Sequence, residues 1–449
     1  MKYRLVIGAA LAFTALGSAS AQTLEETFSA AYASNPTLAA ERARLAQTEE
    51  GFFQARAARL PTLGANASLT EQHNWGGAGQ FQLDPDGSAS YGVSLSQAIY
   101  RGGRIAGSID GALARILAGR EQLRSVEQGV FISAVAAHAD VVRDLSVVSI
   151  RSNNVEVLAE QLRAARDRFE VGEITRTDVA QAEARLSGAR AQFSAAQAAL
   201  AASRAAYQRV TGIEPVEPAD PAAAPVTPED YAEAVEVAIS NNPDLLAAQY
   251  SERAAEQGVR VARGALLPEV SVSASASEDR TSDFTGQARG SASVRAQVSI
   301  PIFTGGLNRS RVREARAGAD VARLQGLAVR RQVVEGVSNA WNNYLAALAV
   351  ITSSREAVRA NEIAFDGVEQ EAFVGLRTTL DVLNAEQELL NSRLELVRAE
   401  RDLTVASYAL MQAMGLLHTG RLALPVEAYD PEAEFEAARG LNFDLTPWD

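Results

Sequence analysis

The chain has no cysteine, one lysine, three histidines, and no apolar run long enough for a membrane-crossing helix once its first twenty residues are set aside. Each shortage removes a class of function. Without cysteine there is no disulfide, thiolate metal site or lipid-anchored N-terminal cysteine. With Lys2 as the only lysine, 41 of the 42 basic residues are arginine, so Schiff-base chemistry and a phosphate-loop lysine are absent. His73, His138 and His418 lie far apart and none has a second histidine at ligand spacing, so each reads as a solvated or packed side chain and not a ligand. No serine sits in a nucleophile elbow, and Gly76, Gly77 and Gly79 fall in a loop instead of a strand-to-helix turn. Nothing points to catalysis, a cofactor or a metal.

A secretory signal opens the chain. Lys2 and Arg4 precede an apolar run from Leu5 to Leu16, and Ala19-Ser20-Ala21 supplies the small residues of a cleavage site. Cleavage after Ala21 leaves 428 of the 449 residues, beginning at Gln22. The formal charge of −13 becomes −15 once Lys2 and Arg4 are gone, which argues against nucleic acid as a partner. A secreted chain with no apolar helix enters a membrane only as a β-barrel, where inter-strand pairing satisfies every backbone polar group.

The sequence is written twice. Asn35-Pro36 returns as Asn242-Pro243 and Leu60-Pro61 as Leu267-Pro268, both 207 residues on. Gly102-Gly103 returns as Gly305-Gly306, and VGEITRTDVAQAE from Val171 as VGLRTTLDVLNAE from Val374, now 203 residues on. A loop-length change between Leu60 and Gly102 accounts for the slip. The boundaries that follow are a signal peptide (1–21), a first repeat (22–212), a proline-rich linker (213–229), a second repeat (230–418) and an acidic, peripheral C-terminal tail (419–449), partly disordered by its composition.

Each repeat has one internal order. A helical pattern interrupted at Asn-Pro (Leu24 to Arg59; Tyr231 to Leu266) precedes a strand hairpin, at 61–100 and 268–303. Leu63, Ala65, Ala67 and Leu69 alternate with polar residues and are answered by Tyr91, Val93, Leu95 and Ile99. In the second copy Val270, Val272, Ala274 and Ala276 are answered by Val294, Ala296, Val298, Ile300 and Ile302. Such alternation suits a barrel strand with lipid on one side and water on the other. Trp75, Phe81, Tyr91, Tyr100, Phe284 and Phe303 gather near the strand ends, where an interfacial belt or ordinary loop packing would place them.

A very long helical pattern follows each hairpin and turns back at a tip, at 171–178 and 374–381. In the returning arm, positions 179, 182, 186, 189, 193, 196, 200, 203, 207 and 210 form a heptad seam, kept 203 residues later. Ala180, Ala184, Ala191, Ala195, Ala198, Ala202 and Ala205 make a second stripe beside it. Two packing stripes describe a stave in a tube; one stripe plus an alanine-rich surface is the plainer reading. A helix of about 65 residues is roughly 98 Å long. Four strands fall short of the roughly eight that close a barrel, so several copies must associate. The competing class is a coiled-coil scaffold whose alternating segments are soluble hairpins.

Taken in order, the doubled Asn-Pro and Leu-Pro, QAIYRGGR (Gln97 to Arg104) with IPIFTGG (Ile300 to Gly306), and the paired Val-Gly tips resemble the TolC family of outer-membrane factors over nearly the whole mature chain. The resemblance implies an α+β membrane protein of the Gram-negative outer membrane. Four strands per chain would contribute to a trimeric, twelve-stranded transmembrane β-barrel continued by a long periplasmic α-helical barrel of coiled coils. It implies a passive exit duct for efflux or type I secretion, contacting outer-membrane lipid, a periplasmic adaptor protein and, through it, an inner-membrane pump of RND or ABC type. Asp178 and Arg377 match positions of inter-helix links that close the periplasmic entrance, and Asp381 matches an acidic constriction ring. Ala372 stands where a tyrosine partner is often found, Asn384 where a second acid is usual, and Ala98 where proline is frequent. Val171, Gly172, Thr175, Val374, Gly375 and Thr378 match the adaptor-docking tips. Thr175-x-x-Asp178 and Thr378-x-x-Asp381 also read as capping boxes, and Gly172 and Gly375 as helix terminators. Capping alone would account for both aspartates and both glycines, though not for Arg377.

Overall fold

Asn35 breaks one helix and starts the next, and Asn242 does the same in the second repeat. In the computed structural model, which describes residues 22–72, 86–224, 228–281 and 288–439, helix α1 (Leu24–Ser34) ends at Asn35 and α2 (Pro36–Ala57) begins there. The Asn35 side chain accepts from Thr37 N at 2.9 Å and donates to Val210 O, also at 2.9 Å. Proline at the first helical position loses no hydrogen bond, because that N–H has no partner within the helix. Helices α5 (Tyr231–Asn241) and α6 (Pro243–Gly264) repeat the device through Asn242, which caps Asp244 and Leu245 and donates to Ala413 O at 3.2 Å. The Asn-Pro pair is therefore both a cap and a clasp on the end of the returning helix.

Strands β1 (Thr62–Gln72), β2 (Asp86–Arg101), β3 (Glu269–Thr281) and β4 (Arg289–Ser299) form one antiparallel sheet in the order β1-β2-β3-β4. Helices α3 (Arg104–Glu170) and α7 (Leu307–Phe373) leave the sheet, and α4 (Arg176–Thr211) and α8 (Thr379–Ala413) return from the tips. Each long arm has 67 residues, roughly 100 Å of helix. Gly102 makes the turn from β2 into α3. Its φ is +59°, and a Cβ there would stand 2.3 Å from Gly264 O, so neither that backbone nor that close approach tolerates a side chain.

The packing order follows the sheet. Near the strands the helices run α2-α3-α6-α7; near the tips they run α4-α3-α8-α7. The heptad seam is buried at Ala182, Leu186, Ala189, Ala196, Leu200, Ser203, Tyr207 and Val210, whereas every alanine of the second stripe on α4 stays exposed. Helix α8, flanked by α3 and α7, buries residues on two sides. The main core lies where α1 and α5 cross the long arms, around Phe28, Phe131, Val135, Val337, Leu410, Met414 and Leu417. A smaller cluster near the tips joins Leu158, Leu162, Ala182, Leu186 and Leu383.

Three segments differ from the sequence reading. Strict alternation puts Ile99 on the apolar face, but a bulge between Ala98 and Tyr100 leaves Ile99 unpaired and sets Tyr100 opposite Val270. Strand β4 ends at Ser299, so Ile300 and Ile302 lie beyond the ladder; Pro301 has no N–H to offer it. The tail is not wholly peripheral: α9 (Thr419–Leu422) and α10 (Pro431–Arg439) follow His418, and Phe435 packs buried against Phe52 and Phe53. The signal peptide, His73, Trp75, Phe81, Phe284 and the chain after residue 439 fall outside the described residues.

Candidate functional site

Both tips are built by the same local chemistry. At the first, Gly172 adopts φ +81°, its N–H reaching Phe169 O and that of Glu173 reaching Arg168 O at 2.9 Å. Gly375 and Leu376 repeat the arrangement on Ala372 and Glu371. This double bond with a left-handed glycine ends a helix and satisfies its last carbonyls. Thr175 and Asp178 then form a full capping box at the start of α4, as Thr378 and Asp381 do at the start of α8. Hydrogen bonds from Thr175 hold the Asp178 carboxyl below its usual range; those from Thr378, helped by the Arg377 charge, do the same for Asp381.

Within one chain the structure does not bring Arg377 to Asp178. The Arg377 guanidinium bonds Glu371 Oε2 through Nε at 2.7 Å, which raises its pKa. Asp178 uses Oδ2 on both the N–H and the hydroxyl of Thr175. Ala372 lines a cleft of about 240 Å³ with Gln161, Arg168, Phe373 and Arg377. Asn384 accepts from Arg185 at 3.2 Å. The two tips differ in surface. Phe373 and Leu376 are 86% and 76% exposed where the first tip has Glu170 and Glu173, while Val374 and Val171 are alike at 66% and 72% and Ile174 is partly buried against Leu158 and its neighbours.

Sequence reasoning missed three features. Glu371 escaped because it lies six residues before Arg377, across the turn. Glu386 is buried and accepts from Asn154 at 3.0 Å and Gln161 at 2.8 Å; burial raises its pKa against the lowering effect of those bonds. Its partners sit on α3, more than 220 residues away, so no local pattern marks it. Glu278 and Arg280 pair at 3.0 Å on the same sheet face as the apolar rows, one row beyond Ala276, and limit the apolar band. That limit was visible in the alternation, since both residues keep its parity.

His138 is fully buried between Thr27 Oγ1 at 2.8 Å and Ala219 O at 2.9 Å, and burial lowers its pKa. It ties the linker to α3. The linker is further held by Ala224 N donating to Ser407 Oγ and by the bridge between Gln22 and Pro218.

No helix among the described residues is long and apolar enough to cross a membrane. The sheet takes that role: over its middle rows one face carries Val, Ala and Leu, the other chiefly Ser, Thr and Asn with Arg295 among them. A two-faced open sheet that runs on into tube staves defines a subunit of a membrane channel. The family model for outer membrane efflux proteins matches residues 27–212 and 234–416. The outer membrane efflux protein BepC of Brucella suis is 38% identical over 359 residues, 80% of this chain and 79% of that one. The outer membrane protein TolC of Vibrio cholerae is 28% identical over 360 residues, covering 78% and 82%. The solved CmeC outer membrane channel of Campylobacter jejuni has the same fold, with a TM-score of 0.76 at 14% identity over 94% of this chain and 90% of that one. This chain belongs to the outer membrane efflux protein family. It is an outer-membrane export channel with a periplasmic extension, and the soluble-scaffold alternative falls.

Proposed function

We propose that three copies of the chain close a twelve-stranded barrel in outer-membrane lipid, continued by a tube of twelve helical staves in the periplasm. The observation that carries this is the open sheet with two unpaired edges, β1 and β4, whose order matches that of the staves beneath it. An even strand number lets β4 of one copy meet β1 of the next antiparallel, and closure removes both edges. The duct catalyses nothing itself. Energy comes from an inner-membrane pump of RND or ABC type, reached through a periplasmic adaptor seated on the tips at Val171, Gly172 and Thr175 and at Val374, Gly375 and Thr378. Asp178, Arg377 and Asp381 form the entrance gate, with Arg377 reaching across to Asp178 of a neighbouring copy; the chain's own Glu371 then competes for Arg377. The mouth lacks the usual tyrosine at Ala372 and second acid at Asn384, which makes this lock a variant one.

The absence of native cysteine gives a direct test. One cysteine placed on β1 and one on β4 should oxidise into a ladder of crosslinked species ending at three chains on a denaturing gel. A ladder ending elsewhere refutes the count, and none at all refutes the edge-to-edge closure.

A further inference from the structure

Among the described residues, one charged side chain on the polar face of the sheet has nothing to neutralise it. Arg295 stands opposite Ser273, with Ser293 and Gln297 two positions away on its own strand. It makes no hydrogen bond or ion pair among the described residues. The acids on that face of β3 are remote. Glu269 is four residues from Ser273, about 14 Å along the strand, and is already held by Arg101 at 2.7 Å and Arg104 at 2.6 Å. Asp279 is six residues the other way, about 20 Å, and faces Arg289. The free edge of β4 offers no rescue either. From Thr62 to Gln72 the polar-face parity of β1 reads Thr, Gly, Asn, Ser, Thr, Gln, without a carboxylate. A slip that exchanged the faces would turn the apolar rows into water and is excluded. So in any register that keeps the apolar face outward, the adjoining strand of a second copy leaves Arg295 uncompensated.

We propose that Arg295 forms a cationic collar inside the barrel lumen, a site that favours anionic solutes, or the anionic groups of larger cargo, on their way out. This rests on the closed-barrel reading above. Twelve strands about 4.8 Å apart and tilted about 40° put the wall roughly 12 Å from the axis. Side chains that project inward from that wall come within one Debye length, about 8 Å, of the axis. The fields of three copies therefore overlap there, and the low-dielectric wall focuses them. The collar is opposite in sign to the chain as a whole, whose formal charge is −13, and to Asp381 at the entrance. Above it the rows are neutral hydroxyls, with Ser275 bonded to Ser293 and Ser277 to Ser291 at 3.0 Å. Between Glu269 and Asp279, cargo thus meets one band of charge among rows that otherwise offer Ser, Thr, Asn and Gln.

The experiment uses the full-length protein in outer membranes. Ser293→Cys places the only thiol about 7 Å along the strand from Arg295. Its labelling rate is measured with an anionic reagent, sulfonatoethyl methanethiosulfonate, and with a cationic one, trimethylammonioethyl methanethiosulfonate. Adding Arg295→Ser should lower the anionic-to-cationic rate ratio by about two- to eightfold, and Arg295→Lys should restore it. An unchanged ratio in Arg295→Ser, with the thiol still labelled, overturns the collar while leaving the barrel intact. A thiol that neither reagent reaches in any variant removes the lumen, and the collar with it.

Discussion

Replacing Arg377 with serine should open the resting channel. Arg377 and Glu371 are half-exposed at 2.7 Å, and solvent-exposed ion pairs of this kind shift an equilibrium by a factor of about 1.4 to 5. A link between neighbouring copies at the same site has similar exposure and a similar value. In the proposed trimer that factor is cubed, so loss of the link should multiply the open population about 3- to 150-fold. Single-channel conductance in a planar bilayer, at low salt where screening is weakest, should rise in Arg377→Ser. The two candidate partners separate by sign. Asp178→Asn, which keeps an oxygen for the Thr175 cap, should also raise conductance. Glu371→Gln releases Arg377 from its own chain to the neighbour and should lower it. Conductance unchanged in Arg377→Ser and Asp178→Asn would refute the gate. A rise in Glu371→Gln equal to that in Arg377→Ser would show that the intrachain pair, and no link between copies, holds the tip.

Other consequences can be measured independently. Asn35→Ala removes a cap and leaves the buried Val210 carbonyl without its donor, a loss of about 2–4 kcal/mol; Asn35→Asp keeps the cap alone and should recover part of it in thermal unfolding. Glu386 has a raised folded pKa, so its contribution favours the fold below the ordinary glutamate value and is lost as pH rises through the raised one; Glu386→Gln should gain on the wild type at neutral pH, with the advantage shrinking in acid. His138 carries the opposite sign: its folded pKa is lowered, so its contribution is present above about 6.5 and fades as pH falls through the folded value. His138→Gln should flatten that acid limb in a melting series. At the tips, Leu376→Asp should weaken adaptor co-purification about ten- to hundredfold, the value of burying one such side chain, while Glu173→Ala at the first tip should leave it nearly unchanged; equal losses would refute an unequal docking surface.

The architecture was legible because it is encoded by periodicity and repetition. A seam such as Ala182, Leu186 and Ala189 names its own buried face, and the same seam 203 residues later says that the unit is doubled. The bulge at Ile99 was not legible, because alternation on either side of an inserted residue looks continuous until the partner strand is known. The early end of β4 was half legible: Pro301 announces it, but Ile300 and Ile302 keep the parity and invite extension. At the tips, the capping boxes and glycines could be read from spacing, since their chemistry is local. The partner of Arg377 could not, because the turn folds Glu371 back from the preceding helix. Glu386 lies further from view. Its burial is created by α3, and nothing around position 386 distinguishes it from the exposed carboxylates on either side.

The two repeats share a sequence pattern but not a burial pattern, and that difference specifies what covers the chain. Helix α8 has neighbours on both sides; its counterpart α4 has α3 on one side and, on the other, only the exposed alanine stripe from Ala180 to Ala205. At the opposite margin α7 leaves Leu345, Leu348, Val350 and Ile363 uncovered. Going around the proposed tube, the order α4-α3-α8-α7 brings each α7 against the α4 of the next copy, so large side chains meet a surface of small ones. That is a knobs-into-holes match between edges that have no partner within the chain. The inner position of α8 is filled by α3, whereas in the proposed tube that of α4 would be filled by a second molecule, which accounts for one duplicated helix burying two stripes and the other only one. The duplication makes the staves alike in pairs, α3 with α7 at 67 residues and α4 with α8 at 36 and 35, and the uncovered margins of α4 and α7 mark where, in the proposed tube, one chain stops and the next begins.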